Sequence, residues 1–386
     1  MSDLFVTIVL DGVGIGEAPD ADVYGDEGSD TLGHVCALAR PSLPNLAALG
    51  LGNIAALEGV PPTAHPEASF GKMQEVSAGK DSTTGHWELA GLVLDRPFPT
   101  YATGFPDDVV THWVEACGLP GALGNVVGSG TAVIQEFGDA HLATGKPILY
   151  TSADSVFQVA AHVDVIPLAE LYRICKIARD VVCVGEHAVG RVIARPFEGK
   201  PGAFKRISSG RKDFSFLPTR QTLQEALQAK GVKTIAIGKI GDLFGNVGFD
   251  EVRKTKSNAE GIERTLAAME EFADQPTFIW TNLVDFDQEF GHRNDVPGFA
   301  NALAYFDDKL PDFKAKLPEG ARLFITADHG NDPSTPSTDH SREYVPVLLL
   351  SDEAPQNLGL RATFSDHAQT VAHYFGAPFD APGTPI

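Results

Sequence analysis

The most constraining stretch of this sequence is a short apolar run that ends in two ligand-type side chains. Residues 323–326 are typical of a buried strand, and Asp328, His329 and Gly330 follow almost at once. The carboxyl ends of strands in α/β sheets are where such folds place their ligands, and glycine allows the sharp turn needed there. An adjacent carboxylate and imidazole can bind a divalent cation, although they also suit an ordinary solvated turn. This stretch alone therefore leaves a metal site and a plain loop open.

Composition restricts the classes of protein and partner. The 386 residues, 43% of them hydrophobic, suffice for two domains or for one large core with an insertion. No apolar run approaches the roughly 18 residues of a membrane span, and no basic leader precedes the first strand, so we expect neither a span nor a signal peptide. The formal net charge of −21 opposes extended binding to nucleic acid or anionic membranes. Four cysteines without C-x-x-C spacing predict free thiols in a reducing cytoplasm.

Basic side chains are nevertheless concentrated in one segment. Residues 189–212 contain seven Lys or Arg residues and a single acidic residue, Glu198. Such a segment suits a solvated basic surface or a phosphate-binding surface, and the sequence leaves both open.

The order of predicted elements indicates an α/β core that is interrupted by an insertion. After residue 217, helices and strands alternate, which is typical of a mostly parallel sheet with helices on both faces. One of these helices is predicted over residues 298–310. The first strand, 4–10, belongs with the same sheet, whereas residues 97–217 mix helical and strand-like pieces with prolines and glycines. We therefore expect a core of residues 1–96 and 218–386 and an inserted α+β cap domain of residues 97–217.

Ligand-type side chains follow several predicted strands of that core. They comprise three Asp and three His residues: Asp11, Asp287, His292, Asp328, His329 and His340. A doubly wound sheet brings such strand ends to one edge, where the carboxylates would repel one another without cations. Two divalent ions suit these oxygen and nitrogen ligands, with Mn²⁺, Zn²⁺, Fe²⁺ and Mg²⁺ all eligible, and would favour in-line phosphoryl transfer. Asp285, in the same segment, could instead cap a turn.

A hydroxyl nucleophile is available in the triplet Ser82-Thr83-Thr84, which precedes a predicted helix. A hydroxyl has too high a pKa to attack unaided, and a metal ion can activate it. Backbone N–H groups at a helix N-terminus would stabilise a phosphate there. Thr84, followed by Gly85, is expected to be exposed and to have the least crowded approach. The same hydroxyls also suit plain helix caps.

With these residues in view, the sequence resembles bacterial phosphopentomutases, a family of the alkaline phosphatase superfamily, nearly from end to end. The resemblance rests on residues 11–21 (DGVGIGEAPDA), 80–88 (KDSTTGHWE), 150–156 (YTSADSV), 190–197 (GRVIARPF), 238–240 (GKI), 285–287 (DFD) with 291–293 (GHR), and 326–332 (TADHGND). Together these motifs are far more specific than any one of them. The resemblance implies an alkaline-phosphatase-like core with an inserted cap.

The resemblance also implies roles for individual residues. One Mn²⁺ would be bound by Asp11, Thr84, Asp328 and His329, and the other by Asp287, His292 and His340. Thr84 would carry the phosphoryl group, whereas Ser82 and Thr83 fall in a variable part of the loop. Asp285 would lie just outside the ligands. The positions that would contact the sugar phosphate are Ser152, Asp154 and Arg191 in the cap and Lys239 in the core.

The implied reaction interconverts α-D-ribose 1-phosphate and D-ribose 5-phosphate, with deoxyribose phosphates as alternative substrates, through a phosphothreonine and a 1,5-bisphosphate. A sugar bisphosphate such as glucose 1,6-bisphosphate would prime the enzyme, and the cap would exclude water. We expect a cytoplasmic monomer that serves nucleoside salvage and binds only small sugar phosphates. Three alternatives stay open: a metal-dependent phosphatase or phosphodiesterase on the same core, a phosphoglycerate mutase, which uses a serine, and a non-catalytic metal-binding protein.

Overall fold

The structure, a computed structural model, describes residues 3–152 and 155–386 and divides the chain into two units. The core unit comprises Met1–Pro97 and Pro218–Ile386, and the cap unit comprises Phe98–Leu217. The chain thus leaves the core unit once and returns to it once.

Strands of both units are numbered in chain order. Their bounds are Leu4–Leu10 (β1), Ser69–Met73 (β2), Leu123–Val127 (β3), Ile148–Thr151 (β4), Val156–His162 (β5), Arg191–Glu198 (β6), Lys205–Arg206 (β7), Lys212–Ser215 (β8), Lys233–Ile237 (β9), Glu251–Arg253 (β10), Thr277–Leu283 (β11), Arg322–Thr326 (β12), Val345–Leu350 (β13) and Asn357–Arg361 (β14).

Helices are numbered in the same way. Their bounds are Ala21–Tyr24 (α1), Thr31–Ala39 (α2), Pro44–Leu49 (α3), Leu51–Ile54 (α4), Ser82–Leu89 (α5), Asp107–Cys117 (α6), Gly130–Thr144 (α7), Leu168–Ile177 (α8), Leu223–Ala229 (α9), Ile240–Leu243 (α10), Asn258–Glu271 (α11), Val296–Lys316 (α12) and Ser365–Tyr374 (α13). No helix within the described ranges is both long and apolar enough to cross a bilayer.

The core unit is built on a twisted sheet of eight strands in the order β10-β9-β11-β1-β12-β13-β2-β14. All neighbouring pairs are parallel except the two made by β13, which is antiparallel to β12 and to β2. Every residue of β1 and β11 is buried, as their apolar and β-branched sequences require, so both faces of the sheet are covered. The expected α/β fold with a mostly parallel sheet sandwiched by helices is confirmed.

The cap unit has its own mixed sheet in the order β3-β4-β5-β6-β7, with β8 also pairing with β6. Two apolar clusters stabilise it. One contains Trp113, Phe157 and Leu171, and the other contains Ile134 and Phe197. This unit is therefore an α+β structure with its own core.

One helix of the core unit is longer than the sequence indicated. The prediction ended it at residue 310, whereas α12 continues through Pro311 to residue 316. A proline inside a helix leaves the carbonyl four residues earlier without its N–H donor. That carbonyl belongs to Asp307, and the side-chain amide of Asn45 in α3 donates to it at 3.0 Å. The Asp307 carboxylate in turn accepts the backbone N–H groups of Asn45 and Leu46. The neighbouring helix thus supplies the missing bond, and α12 continues.

The imidazole of His367, in α13, is buried inside the core unit. Its Nδ1 donates to the carbonyl of Leu89 at 2.7 Å, and its Nε2 lies 2.8 Å from the hydroxyl of Thr7 on β1. Burial lowers the pKa of His367 from 6.5 to about 4. A histidine whose pKa is lower in the folded state than in the unfolded state makes the fold less stable as the pH falls. Its full contribution to stability is present above the unfolded pKa and is lost as the pH falls to the folded pKa.

We therefore expect His367 to weaken the fold by about 3 kcal/mol as the pH falls from 6.5 to 4. Urea unfolding across this window should show a flatter pH dependence for His367→Gln than for the wild type. The matched control is His65→Gln, because His65 is exposed and its loss should leave the dependence unchanged. Equal slopes for His367→Gln and the wild type would contradict this account.

Candidate active site

Three neighbouring strands deliver carboxylates to one edge of the core sheet. Asp11 follows β1, Asp328 follows β12, and Asp287 follows β11 within a π-helical turn at Phe286–Phe290. Because β11, β1 and β12 are adjacent and parallel, their carboxyl ends meet at the same edge. All three carboxylates are buried.

The first cluster combines Asp11 and Asp328 with His329. The Nε2 atom of His329 lies 3.4 Å from Oδ1 of Asp11 and 3.2 Å from Oδ2 of Asp328. One ligand atom of each of the three residues lies within 4.8 Å of the others. The backbone N–H of Gly12 donates to Oδ1 of Asp328 at 3.1 Å. Nδ1 of His86 lies 3.1 Å from Oδ2 of Asp328 and donates to the carbonyl of Ser82 at 2.8 Å.

The second cluster is centred on Asp287. Its Oδ2 lies 3.3 Å from Nε2 of His292, and its Oδ1 lies 3.2 Å from Nε2 of His340. The side-chain amide of Asn331 donates to the same Oδ1 at 2.7 Å. His329 also belongs here, because one ligand atom each from Asp287, His329 and His340 lie within 4.8 Å of one another. The structure therefore brings five of the six predicted Asp and His ligands into two groups that share His329, and His292 joins the second group through Asp287.

The imidazoles are oriented with Nε2 toward the carboxylates. Nδ1 of His329 donates to the carbonyl of Gly330 at 3.0 Å, and Nδ1 of His292 donates to that of Thr338 at 2.6 Å. A carbonyl only accepts, so Nδ1 carries the hydrogen and Nε2 is the nitrogen available to a metal. Because Nε2 of His329 can bind only one ion, a second ion at Asp287 would have the Nε2 atoms of His340 and His292 as its imidazole ligands.

The donor set fits divalent cations. Oδ1 of Asp11, Oδ2 of Asp328 and Nε2 of His340 have no hydrogen-bond partner within the described residues. Lys239 forms an ion pair with Asp11, which neutralises only part of the buried negative charge. Buried polar atoms are normally hydrogen-bonded, and buried carboxylates need a counter-charge. Oxygen and imidazole nitrogen without thiolate are ligands that Mn²⁺, Zn²⁺, Fe²⁺ and Mg²⁺ accept in different degrees.

These groups shift one another's pKa strongly. Burial and the Asp328 carboxylate raise the pKa of Asp11. Burial lowers the pKa of His292, but the Asp287 carboxylate outweighs it and raises the pKa to about 9. Burial opposes ionisation of Asp287 and Asp328, yet the neighbouring imidazoles lower both pKa values well below the ordinary range. For His329, Asp328 outweighs burial and raises the pKa. A metal ion therefore competes with protons for these ligands.

The predicted nucleophile lies at the start of α5, which Asp81 caps. Oγ1 of Thr84 donates to Oδ2 of Asp81 at 2.6 Å. Three expectations about this helix start are wrong: that Thr84 is exposed, that its hydroxyl has the least crowded approach, and that the first N–H groups are free to bind a phosphate. Thr84 is fully buried and not exposed, and a Cβ added to Gly79 would lie 2.7 Å from its Oγ1. The N–H groups of Thr83 and Thr84 are not free for a phosphate either, because both donate to Oδ1 of Asp81.

Gly85 joins this helix start to the first cluster. A Cβ at Gly85 would lie 1.9 Å from the carbonyl oxygen of Asp328, which no side chain could accommodate without a backbone shift. The absence of a side chain at this position therefore lets the residue after Thr84 pack directly on the backbone of a candidate ligand.

The predicted substrate contacts are distributed over both units. Lys239 lies in the core unit, where it pairs with Asp11. In the cap unit, Ser152 is half-buried after β4, and Arg191 begins β6 with Nη1 3.7 Å from Oδ2 of Asp213. Asp154 lies outside the described residues.

Asp285 is the carboxylate for which the sequence left a capping role open. Its Oδ2 accepts the backbone N–H of Asn258, the first residue of α11, at 2.7 Å. The backbone N–H of Asp285 in turn donates to Oδ1 of Asn258 at 2.8 Å. Asp285 therefore fixes the start of a helix.

Sequence reasoning missed three residues that support the site. His86 and Asn331 contact candidate ligands directly, and the buried guanidinium of Arg342 donates to Glu75 and to the carbonyl of Gly79. The position of His86 was foreseeable, because a helical side chain points toward the N-terminus of its helix. Arg342 and Asn331 gave no comparable signal.

We expect Mn²⁺ binding to release protons. Near neutral pH His292 holds its proton, since its pKa is about 9, and a metal ion at Nε2 must displace it. Calorimetric titration with Mn²⁺ in two buffers of different ionisation enthalpy should report that release, and the affinity should rise with pH up to about 9. His292→Gln should release fewer protons. An enthalpy that is the same in both buffers would contradict the assignment.

Known proteins similar to this chain support a metal-dependent enzyme. The family model described as Metalloenzyme superfamily matches residues 4–378. A phosphopentomutase of Acetivibrio thermocellus is 54% identical over 374 residues, covering 96% of this chain and 95% of the relative. One of Caldanaerobacter subterraneus subsp. tengcongensis is 52% identical over 372 residues, covering 96% and 93%. The solved phosphoglycerate mutase of Leishmania mexicana has a TM-score of 0.50 at 14% identity, covering 100% and 97%, and supports the fold alone.

Proposed function

The chain belongs to the phosphopentomutase family of the Metalloenzyme superfamily, and we propose from this that it interconverts pentose 1-phosphates and pentose 5-phosphates. As a member of that family it is an isomerase. The proposed substrates are α-D-ribose 1-phosphate and D-ribose 5-phosphate, with their 2-deoxy counterparts as alternatives. The observation that carries the proposal is the convergence of three buried carboxylates and the imidazoles of His329 and His340, with His292 beside Asp287, at the sheet edge against which the Thr84 helix packs.

We assign two Mn²⁺ ions to these residues. One set comprises Asp11, Thr84, Asp328 and His329, and the other comprises Asp287, His292 and His340. Bound ions would supply positive charge for the phosphoryl group and for the attacking and leaving oxygens. The unsatisfied buried Oδ1 of Asp11 and the orientation of the imidazoles support the assignment.

Thr84 is the proposed phosphoryl carrier. The bond from phosphorus to its Oγ1 breaks as the free hydroxyl of the bound sugar monophosphate forms a new P–O bond, which gives the 1,5-bisphosphate. Oγ1 of Thr84 gains the proton that the sugar hydroxyl loses. Oδ2 of Asp81 lies 2.6 Å from this Oγ1 and can receive or return the proton. The bisphosphate reorients and gives its other phosphate back to Thr84. The enclosure of Thr84 beneath the backbone of Gly79 supports protection of the phosphothreonine from water.

The sugar phosphate is proposed to bind Ser152, Asp154, Arg191 and Lys239. A guanidinium binds phosphate oxygens in pairs, which suits Arg191, and the Lys239 ammonium already lies beside Asp11. A bisphosphate such as glucose 1,6-bisphosphate would charge Thr84 initially. Four free, buried cysteines and a net charge of −21 support a cytoplasmic monomer that acts on small sugar phosphates and takes part in nucleoside salvage.

The reaction can be followed by ³¹P NMR with Mn²⁺, glucose 1,6-bisphosphate and ribose 5-phosphate. We expect ribose 1-phosphate to appear without inorganic phosphate, because the phosphothreonine transfers to sugar and not to water. Accumulation of inorganic phosphate alone would favour the phosphatase or phosphodiesterase, and conversion of 3-phosphoglycerate would favour the phosphoglycerate mutase. A protein that binds Mn²⁺ without turnover of either substrate would be a non-catalytic metal-binding protein.

The carrier can be identified by intact mass and peptide mapping after exposure to glucose 1,6-bisphosphate. We expect Thr84→Ala to acquire no phosphoryl group and to lose at least about a thousandfold in turnover, as removal of a covalent nucleophile does. The neighbouring variant Thr83→Ala should still be labelled. If Thr84→Ala is still phosphorylated and Thr83→Ala is not, Thr83 and not Thr84 is the phosphoryl carrier.

A further inference from the structure

The carboxylate of Glu343 is buried between the segments that follow β1 and β12, three residues after His340. Two glycines leave room for it: a Cβ at Gly14 would collide with its Oε2, and a Cβ at Gly330 would collide with its Oε1. Neither the proposed metal sets nor the proposed phosphoryl transfer uses this acidic group. A buried carboxylate in such a place needs a set of hydrogen-bond donors.

Three donors bind this carboxylate. The backbone N–H of Thr31, the first residue of α2, donates to Oε2 of Glu343 at 2.9 Å. The hydroxyls of Thr31 and Ser341 both donate to Oε1 at 2.7 Å. Because a hydroxyl has a single hydrogen, each of them can only accept from any further partner. The hydroxyl of Ser341 does so from the backbone N–H of Asp332, at 3.4 Å.

The hydroxyl of Thr31 connects Glu343 to a candidate metal ligand. Its Oγ1 accepts the backbone N–H of Asn331 at 3.2 Å. The side-chain amide of Asn331 donates in turn to Oδ1 of Asp287 at 2.7 Å. A continuous chain of hydrogen bonds therefore runs from the Glu343 carboxylate through two residues to Asp287.

We propose that Glu343 is a positioning residue that determines how tightly the Asp287 set binds its divalent cation. This inference rests on the proposed function, because it requires a cation at Asp287. The carboxylate fixes the direction of the Thr31 hydroxyl, that hydroxyl fixes the backbone of Asn331, and the Asn331 amide fixes the ligand oxygen. A ligand that is oriented before the ion enters loses less freedom on binding, so the ion binds more tightly.

Glu343→Gln tests this role with almost no change in side-chain size. If the new amide nitrogen takes the place of Oε2, it faces the backbone N–H of Thr31, and two donors meet. If it takes the place of Oε1, the Thr31 hydroxyl must accept from it and turn its hydrogen toward the N–H of Asn331. Both orientations break the chain. We therefore expect Mn²⁺ to bind the Asp287 set about tenfold more weakly, as when a group that orients a metal ligand is lost.

Calorimetric titration with Mn²⁺ measures this effect without turnover. Burial raises the pKa of Glu343 to about 7, so the titrations are done above that pH, where the carboxylate is ionised. The binding event that His292→Gln weakens is the one that belongs to the Asp287 set. Glu343→Gln should weaken the same event and leave the event at the Asp11 set within about twofold of the wild type.

The matched control is Asp307→Asn. This substitution also neutralises a buried carboxylate that accepts backbone N–H groups at the start of a helix, those of Asn45 and Leu46. It should leave both Mn²⁺ binding events unchanged. An equal loss of affinity in Asp307→Asn and Glu343→Gln would overturn the proposal, because a general loss of stability would then be the cause.

A double-mutant cycle with Thr31 tests the route from Glu343 to the ligand. Thr31→Val removes the hydroxyl and should weaken the same binding event about tenfold, whereas Thr31→Ser keeps it and should stay within about twofold of the wild type. Added to Glu343→Gln, Thr31→Val should cause less than about twofold further loss, because both substitutions break one chain. Losses that multiply in the double variant would show that Glu343 does not act through Thr31, and the proposal is wrong.

The remaining outcomes separate this inference from the proposed function. Glu343→Gln that binds both ions as tightly as the wild type overturns the role of Glu343 alone. A wild-type chain that binds no Mn²⁺ at the Asp287 set overturns the proposed metal sites together with this inference. Should Glu343→Gln fail to fold, Thr31→Val and Thr31→Ser decide, and equal affinities in these two variants overturn the proposal.

Discussion

The core unit depends on the compensation of negative charge that its sheet buries at one edge. Parallel strands β11, β1 and β12 place Asp287, Asp11 and Asp328 there with almost no access to water. A carboxylate without a partner in such a place costs several kcal/mol, so three of them together require cationic neighbours. The imidazoles and Lys239 supply part of this charge, and the unsatisfied Oδ1 of Asp11 and Oδ2 of Asp328 indicate where more is needed.

The surroundings of these carboxylates are arranged before any ligand enters. Asn331 and the backbone of Gly12 each hold one carboxylate oxygen, and Gly85 brings α5 against the strand end. Arg342, two residues after His340, binds the carbonyl of Gly79 and so connects the second cluster to the loop that encloses Thr84. The candidate ligands and the candidate nucleophile are thus fixed by the same set of loops, which would limit the reorganisation that the proposed transfer requires.

Features that depend on the ends of strands could be predicted from the sequence. Features that depend on contacts between distant segments could not. Apolar runs followed by Asp or His were sufficient to predict the parallel sheet and the convergence of Asp11 and Asp328, because parallel topology brings such ends together. The burial of Thr84 depends on the path of the loop at Gly79, which local composition does not determine. The continuation of α12 depends on Asn45, 262 residues from Asp307, so the nearby proline was misleading. The metal and substrate roles of the residues that converge remain predictions.

The insertion has a consequence for how enzymes of this design can diversify. All eight strands of the core sheet come from residues outside Phe98–Leu217, and the cap unit has apolar clusters of its own. Replacement or remodelling of that segment would leave every strand pair of the core sheet intact. Evolution can therefore change the inserted unit while the sheet edge that bears the candidate ligands stays the same.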